Sequence, residues 1–294
     1  MKKYVLIYNP VAGDAKFKSR LDEVVEYLQV SDGIVLPFRT RYKEDIRPFI
    51  RQIKEIGADG VIVSGGDGTV HQVINAMLTE DVDMPVGIIP SGTCNDFSSH
   101  VSFDKNLSRC LSAVTGGQWR MVDVGKVNEE YFLNVASAGL LTSVAHSVDT
   151  SLKNTIGRLA YYFKGLGQLP NFRSLHVKIT ADDQVIDGDI LLFLVMNSGI
   201  VGSFPSLAPA ARIDDGKLDL LIINKCSISE LMGLFISMFS GRHILSKHIR
   251  NLQAKELYIE CDEPVDSDLD GELGPLLPLA ISTVTKKLKV FQLP

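Results

Sequence analysis

Residues 60–73, GVIVSGGDGTVHQV, pass from an unbroken apolar run through three glycines into a helix-patterned segment. An apolar run without alternation is the pattern of a strand buried on both faces. The first half of the chain repeats the theme. YVLIYNP (4–10) is a short strand ended by Pro10, IVLPF is a second weakened by Pro37, and VGIIPSGT is another strand running into a loop. Between them, helical spacing falls at 16–29, with Leu21, Val24, Val25 and Leu28 on one face, at 43–56 before Gly57, and at 69–78. Strands alternating with helices require right-handed crossovers and a parallel sheet. The first half is therefore expected to be an α/β domain.

After about residue 119 the pattern changes. WRMVDVGKV and YFLNVASAG flank NEE, LHVKIT and the longer VIDGDILLFLVMNS flank ADDQ, and GKLDLLIIN, KELYIEC and KKLKVFQL are further strands. Helical stretches interrupt near 155–168 and 228–240. This half is expected to be mainly antiparallel β. The division expected is 1–125, 126–286 and a final strand, 287–294, returning to the first domain.

The glycines of the first half carry the strongest chemical signal. Gly65, Gly66 and Gly68 follow a buried strand and precede a helix. Backbone N–H groups without a neighbouring Cβ can approach phosphate oxygens, and a helix N-terminus adds about half a positive charge. Thr69 and Gln72 have the spacing of a capping box, so Thr69 is expected to start the helix. A tight strand-to-helix turn is the plain alternative for this loop taken alone. However, NPVAG (9–13) and IIPSGTCNDF (88–97) also follow strands, and loops at strand C-termini gather on the edge where open α/β sheets bind ligands. There is no GxxxxGK[ST] and no GxGxxG. Asp67 and Asp96 lie within these loops, and carboxylates beside phosphates call for a divalent cation between them.

Composition narrows the partners. A net charge of −5 argues against nucleic acid. Cys94, Cys110, Cys226 and Cys261 form no CxxC pair, and neither they nor the six histidines have zinc-ligand spacing. No signal peptide and no run of membrane-spanning length is read, so a reduced, cytoplasmic protein is expected.

NPVAG, GGDGTVHQV, PSGTCNDF, VDVG (122–125), APAARIDDGKLD (208–219) and DGE (270–272) occur in this order. Together they resemble the diacylglycerol kinase catalytic family, in its soluble bacterial lipid-kinase branch, over nearly the whole chain. GGDGT alone is shared with NAD kinases; PSGTCNDF and the late DGE favour the lipid kinases. The resemblance implies an α/β nucleotide domain of the NAD kinase/diacylglycerol kinase type, followed by a β-sandwich. It implies ATP as phosphate donor, bound by Asn9, Pro10, Gly13, Thr40, Gly65, Gly66, Asp67, Gly68, Thr69, Gln72, Gly92, Thr93 and Asn95. It implies Asp67, Asp96 and Asp123 as a network holding catalytic Mg²⁺ through water, and Glu272 as general base with Asp270 beside it. Asp215 and the main-chain carbonyls of Arg212 and Lys217 would hold a second, structural Mg²⁺. The implied activity is γ-phosphate transfer to a lipid hydroxyl, foremost diacylglycerol, at the inner membrane face. Phosphatidylglycerol, a sphingoid base or NAD as acceptor, or a nucleotide-binding regulator without catalysis, are the competing readings. The chain departs from the family at His71-Gln72, where relatives usually carry Asn-Glu.

VDSDLDGELG (265–274) begins like a calcium loop, but its twelfth position from Asp266 is Leu277, and Pro275 and Pro278 forbid an exiting helix. Asp-Gly is also a hairpin signal, and clustered acids commonly face water. Asp266 and Asp268 are read as surroundings, and Asp270 and Glu272 as the chemistry. His71 is read as an exposed helix residue, with contact to the nucleotide as its alternative. GRHILSKHIRN (241–251), with Arg242, His243, Lys247, His248 and Arg250, fits either an anionic membrane surface or an exposed helix end. TIGRLAYYFKGLGQLPNF (155–172) fits a core-packing helix, with a lipid cleft or membrane face as its alternative. A homodimer through the β-rich half is a further expectation.

Overall fold

The computed structural model describes residues 1–139, 174–202, 204 and 206–293. The segment 155–172 and the helix expected near 155–168 lie outside the described residues.

In the first half, β1 (Lys2–Tyr8), α1 (Leu21–Val30), β2 (Gly33–Arg39), α2 (Ile46–Ile56), β3 (Gly60–Gly65), α3 (Asp67–Thr79) and β4 (Val86–Pro90) alternate, followed by α4 (Asp96–His100) and α5 (Leu107–Gly116). The strands lie in the order β4-β3-β1-β2, all parallel. Pro37 is tolerated because β2 is the edge of this sheet. Val5 to Ile7 and Val61 to Val63 are sealed between helices on both faces, which is why these strands show no alternation. The loops after β1, β2, β3 and β4 therefore open on one edge.

Two helix starts differ from expectation. Phe17–Arg20 is a 3₁₀ turn before α1, and α3 begins at Asp67 with Gly66 as its N-cap. Thr69 does not cap it. Its Oγ1 instead accepts Asn9 Nδ2 at 3.3 Å, which leaves Thr69 inside the first turn.

The second half is built from β5 (Trp119–Val127), β6 (Glu130–Phe132), β7 (Val135–Gly139), β8 (Leu175–Ala181), β9 (Gln184–Met196), β10 (Leu218–Asn224), α6 (Ile228–Met238), β11 (Ile249–Ala254), β12 (Glu256–Cys261), β13 (Asp266–Leu269), β14 (Glu272–Leu276) and β15 (Leu279–Phe291). Its pairings are antiparallel. Phe132, Phe193, Leu220, Ile259 and Ile281 meet in a core between the layers. The other face of β9 packs Leu192 and Leu194 beneath Leu231, Leu234 and Phe235 of α6. Cover on both faces accounts for the continuous ILLFLVM of β9.

β15 joins the parallel and the antiparallel strands into one continuous sheet. Its first residues pair with β12 and β5, its register breaks between Val284 and Leu288, and Val290 then lies parallel to Val86 of β4. Leu288, Val290 and Phe291 are buried in the core of the first half. Residue 125 falls within β5, which runs beside β15 along most of its length.

Candidate active site

Four loops at the C-terminal edge of the parallel sheet are laced together by their backbones. Asn9 N–H donates to Ser64 O at 2.9 Å, Thr40 N–H to Tyr8 O at 3.0 Å, and Ser91 N–H to Gly65 O at 2.9 Å. The loop after β3 and the loop after β4 touch main chain to main chain. A Cβ on Gly92 would stand 2.4 Å from the Gly66 Cα, so only glycine allows the approach. The result is a cavity of about 440 Å³ with Gly13, Gly66, Gly68 and Gly92 in its wall, an environment suited to phosphate oxygens. Asn9, Gly13, Thr40, Gly66, Gly68, Thr69, Gln72, Gly92 and Thr93 line it, as does Glu272 from the second half. Pro10, Gly65, Asp67 and Asn95 do not. Asn95 is buried in the left-handed conformation, φ +58°, and its amide bonds both the N–H and the C=O of Gly92, so it shapes the loop. Arg41, Tyr42 and Lys43, which sequence reasoning missed, stand on the far wall.

The acidic stretch 265–274 is a hairpin, β13 against β14, turning at Asp270 (φ +55°) and Gly271 (φ +94°). Two consecutive positive φ angles are the requirement of the tight turn that Asp-Gly signals. Asp268 is buried rather than facing water, and its Oδ1 accepts the Gly271 N–H at 2.8 Å, closing the turn. The turn is held from outside by Asp270, whose side chain is 1% exposed. Its Oδ1 accepts the N–H groups of Asn134 (2.8 Å) and Val135 (2.9 Å), and its Oδ2 that of Leu133 (2.7 Å). The same Oδ2 meets His71 Nδ1 at 2.8 Å. His71 is therefore not an exposed helix residue; it is buried and joins α3 to the hairpin. Burial alone would lower its pKa, but the bond to Asp270 and the charges of Asp270, Glu272 and Glu130 outweigh it and raise it. This fixing aims Glu272 across the domain boundary, to where a Cβ on Gly68 would lie 2.8 Å from its Oε1.

Behind this wall lies a second cavity, of about 290 Å³. Val135, Leu192, Leu194, Phe204, Leu207, Phe235 and Met238 make it apolar, and Asp67, Asp96, Asp268 and Asp270 give it an acidic end. The partition between the cavities is two short segments. Gly66, Gly68 and Glu272 face the first cavity, while Asp67, Asp270 and Gly271 face the second.

The acids do not form a direct metal cage: no group of three or more candidate ligands comes together among the described residues. Asp67 turns Oδ1 to the Asp96 N–H and Oδ2 to the Asn95 N–H, each at 2.7 Å. Burial raises its pKa most, with the Asp270 charge adding, against the pull of those two N–H groups. Asp123 is 1% exposed, and its oxygens accept Lys286 N–H at the break in β15 and Gly216 N–H, each at 2.7 Å. It lines neither cavity. Next to it, Asn197 Nδ2 donates to the carbonyls of Asp123 and Leu133, leaving the buried Oδ1 without a partner. Carboxylates committed in this way, beside an orphaned acceptor, suit a cation reached through water rather than bound directly. In the turn 212–217, Asp215 Oδ1 accepts the Lys217 N–H at 3.0 Å, and Gly216 bonds Asp123. Arg212 bonds Asp214. The acids thus brace the loops, and their engagement with main chain was not visible in the sequence.

Known proteins resemble this chain in sequence and fold. Residues 3–127 match the family model of the diacylglycerol kinase catalytic domain, and residues 134–292 that of the YegS C-terminal NAD kinase beta sandwich-like domain. A diacylglycerol kinase of Bacillus subtilis (strain 168) is 34% identical over 279 residues, covering 95% of this chain and 92% of its own length. One of Staphylococcus carnosus (strain TM300) is 31% identical over 290 residues, covering 99% and 95%. The crystal structure of a diacylglycerol kinase from Bacillus anthracis superposes with a TM-score of 0.83 at 28% identity, covering 100% of this chain and 98% of that one.

Proposed function

The chain belongs to the diacylglycerol kinase family and is a lipid kinase, and from that premise we propose that it transfers the γ-phosphate of ATP to the hydroxyl of diacylglycerol, giving phosphatidic acid. The observation that carries this is the partition. A glycine-walled polar cavity and an apolar cavity meet at Asp270-Gly271-Glu272. An apolar acceptor cavity suits a lipid and does not suit a second dinucleotide, which separates this reading from an NAD kinase.

In this reading the loops after β1, β3 and β4 hold the ATP phosphates on backbone N–H groups, with Thr40, Thr69 and Gln72 at the walls. The glycerol end of the acceptor lies at the acidic end of the apolar cavity. Glu272 takes the proton from the acceptor hydroxyl as that oxygen bonds the γ-phosphorus, and the bond to the bridging oxygen breaks to release ADP. Asp270 is a positioning residue. It is saturated with hydrogen bonds and holds the turn that aims Glu272. Asp67, Asp96 and Asp123 would hold Mg²⁺ through water, and Asp215 with the carbonyls of Arg212 and Lys217 a structural Mg²⁺; the first ion would supply charge neutralisation for the phosphate being transferred at the partition. No helix among the described residues is long and apolar enough to cross a membrane, and we place the enzyme at the inner membrane surface, visiting from the cytoplasm.

The test is a panel assay with labelled ATP and Mg²⁺, offering diacylglycerol, phosphatidylglycerol, a sphingoid base and NAD. Label in phosphatidic acid is the expected result. Label only in another acceptor reassigns the substrate, and nucleotide binding without label anywhere favours a regulator.

A further inference from the structure

We propose that the outer stripe of α6, with the turn that follows it, docks the protein on an anionic lipid bilayer at the rim of the apolar cavity. The proposal rests on the reading that the acceptor is a membrane lipid. α6, ISELMGLFISM, carries a single charge, Glu230, used in the capping box with Ser227. Leu231, Leu234, Phe235 and Met238 form its buried face, and Phe235 and Met238 also wall the cavity. A second apolar stripe, Ile228, Met232, Ile236 and Phe239, recurs at helical spacing beside the first. It faces solvent: Ile228 is 56% exposed and Ile236 64%. A helix apolar on nearly all sides is expected to be covered on all sides.

The stripe continues into the 3₁₀ turn Arg242–Leu245, where Leu245 is 84% exposed. This turn is fastened to the cavity wall. His243 is fully buried, with Nε2 2.9 Å from the carbonyl of Leu207, and Phe239 packs on Phe204 at a centroid distance of 4.6 Å. Leu207 and Phe204 both line the cavity. Apolar side chains at the surface are thus one residue thick from the space that receives the acceptor.

Charge selects the occupant. From Lys225 to Arg250 there are four Lys and Arg against one acid, in a chain whose net charge is −5. Arg242 and Lys247 are exposed on either side of Leu245; Lys247 Nζ lies 3.8 Å from Glu230, and Arg242 makes no ion pair among the described residues. Exposed apolar groups ringed by cations match anionic headgroups above acyl chains. A second copy of the chain fits less well, because a two-fold contact on this stripe would bring the cations of both copies together.

The full chain is tested by sedimentation with vesicles of phosphatidylcholine alone or mixed equally with phosphatidylglycerol. The unaltered protein should bind the mixed vesicles and not the neutral ones. Arg242→Glu with Lys247→Glu should weaken that binding about thirtyfold at low salt, and Ile236→Ser with Leu245→Ser at least about tenfold. Both pairs should keep full activity on a short-chain diacylglycerol dispersed below its micelle concentration and lose it on long-chain diacylglycerol in vesicles. Unchanged vesicle binding in both pairs overturns the proposal while leaving the kinase reading intact. If the serine pair turns a dimer into a monomer with vesicle binding unchanged, the stripe is a contact between copies and the proposal fails. If the unaltered protein phosphorylates neither lipid, the kinase reading fails, and the sedimentation result still decides the docking.

Discussion

His71 and Asp270 are 199 residues apart in the chain and 2.8 Å apart in the fold. Their pairing raises the His71 pKa above its ordinary 6.5. A raised histidine contributes stability that is fully present below the unfolded value and lost as pH rises through the folded one. His71→Ala should therefore destabilise the protein more at pH 6 than at pH 9, by about 1.5–3 kcal/mol at the acid end, measured by denaturant unfolding at each pH. His71→Asn should retain a hydrogen bond and show no such pH dependence. An equal loss for His71→Ala at both pH values would mean that the charge plays no part. The sequence made His71 look ordinary because a residue after a glycine loop says nothing about a hairpin two hundred positions on. The one signal available was its departure from the Asn that the resemblance implies at this position. The role of Asp268 was hidden for the same reason: acids in a row look solvated until the turn that buries one of them is known.

At the scale of elements, the strand–loop–helix units were legible because each is specified locally. β3 shows its burial by lacking alternation, α2 ends at Gly57 with φ +65°, and Asp-Gly makes the turn it signals. Local rules failed where a distant partner competes. Thr69 and Gln72 have capping-box spacing, yet Asn9 claims the Thr69 hydroxyl and α3 starts two residues earlier. α5 and the short strands β7, β11, β13 and β14 passed unread as separate elements, since too few residues show a period before a partner strand defines them. The contact between the glycine loops gives a sharp expectation. Gly92→Ala must push its loop from Gly66, so KM for ATP should rise about tenfold or more, a cost of at least ~1.4 kcal/mol in binding, with KM for lipid little changed. Equal KM values for ATP in the two proteins would show that the loops do not grip the nucleotide.

Across the whole molecule, β15 makes the halves interdependent. Phe291 lies against β3, where a Cβ on Gly60 would come within 2.8 Å of its ring, and the same strand begins among the antiparallel strands of the second half. Phe291→Ala should cost about 3–5 kcal/mol, and both halves should unfold in one transition, read by far-ultraviolet circular dichroism together with Trp119 fluorescence. Two separated transitions would mean that the halves are only neighbours. That interdependence is also what lets Glu272, from the second half, stand over Gly68 in the first. The most direct test of the account is the turnover of diacylglycerol by Glu272→Gln. The expected kcat is reduced by about 10²–10⁴ with ATP affinity kept. A kcat within about tenfold of the unaltered enzyme, a barrier change of only ~1.4 kcal/mol, would contradict it.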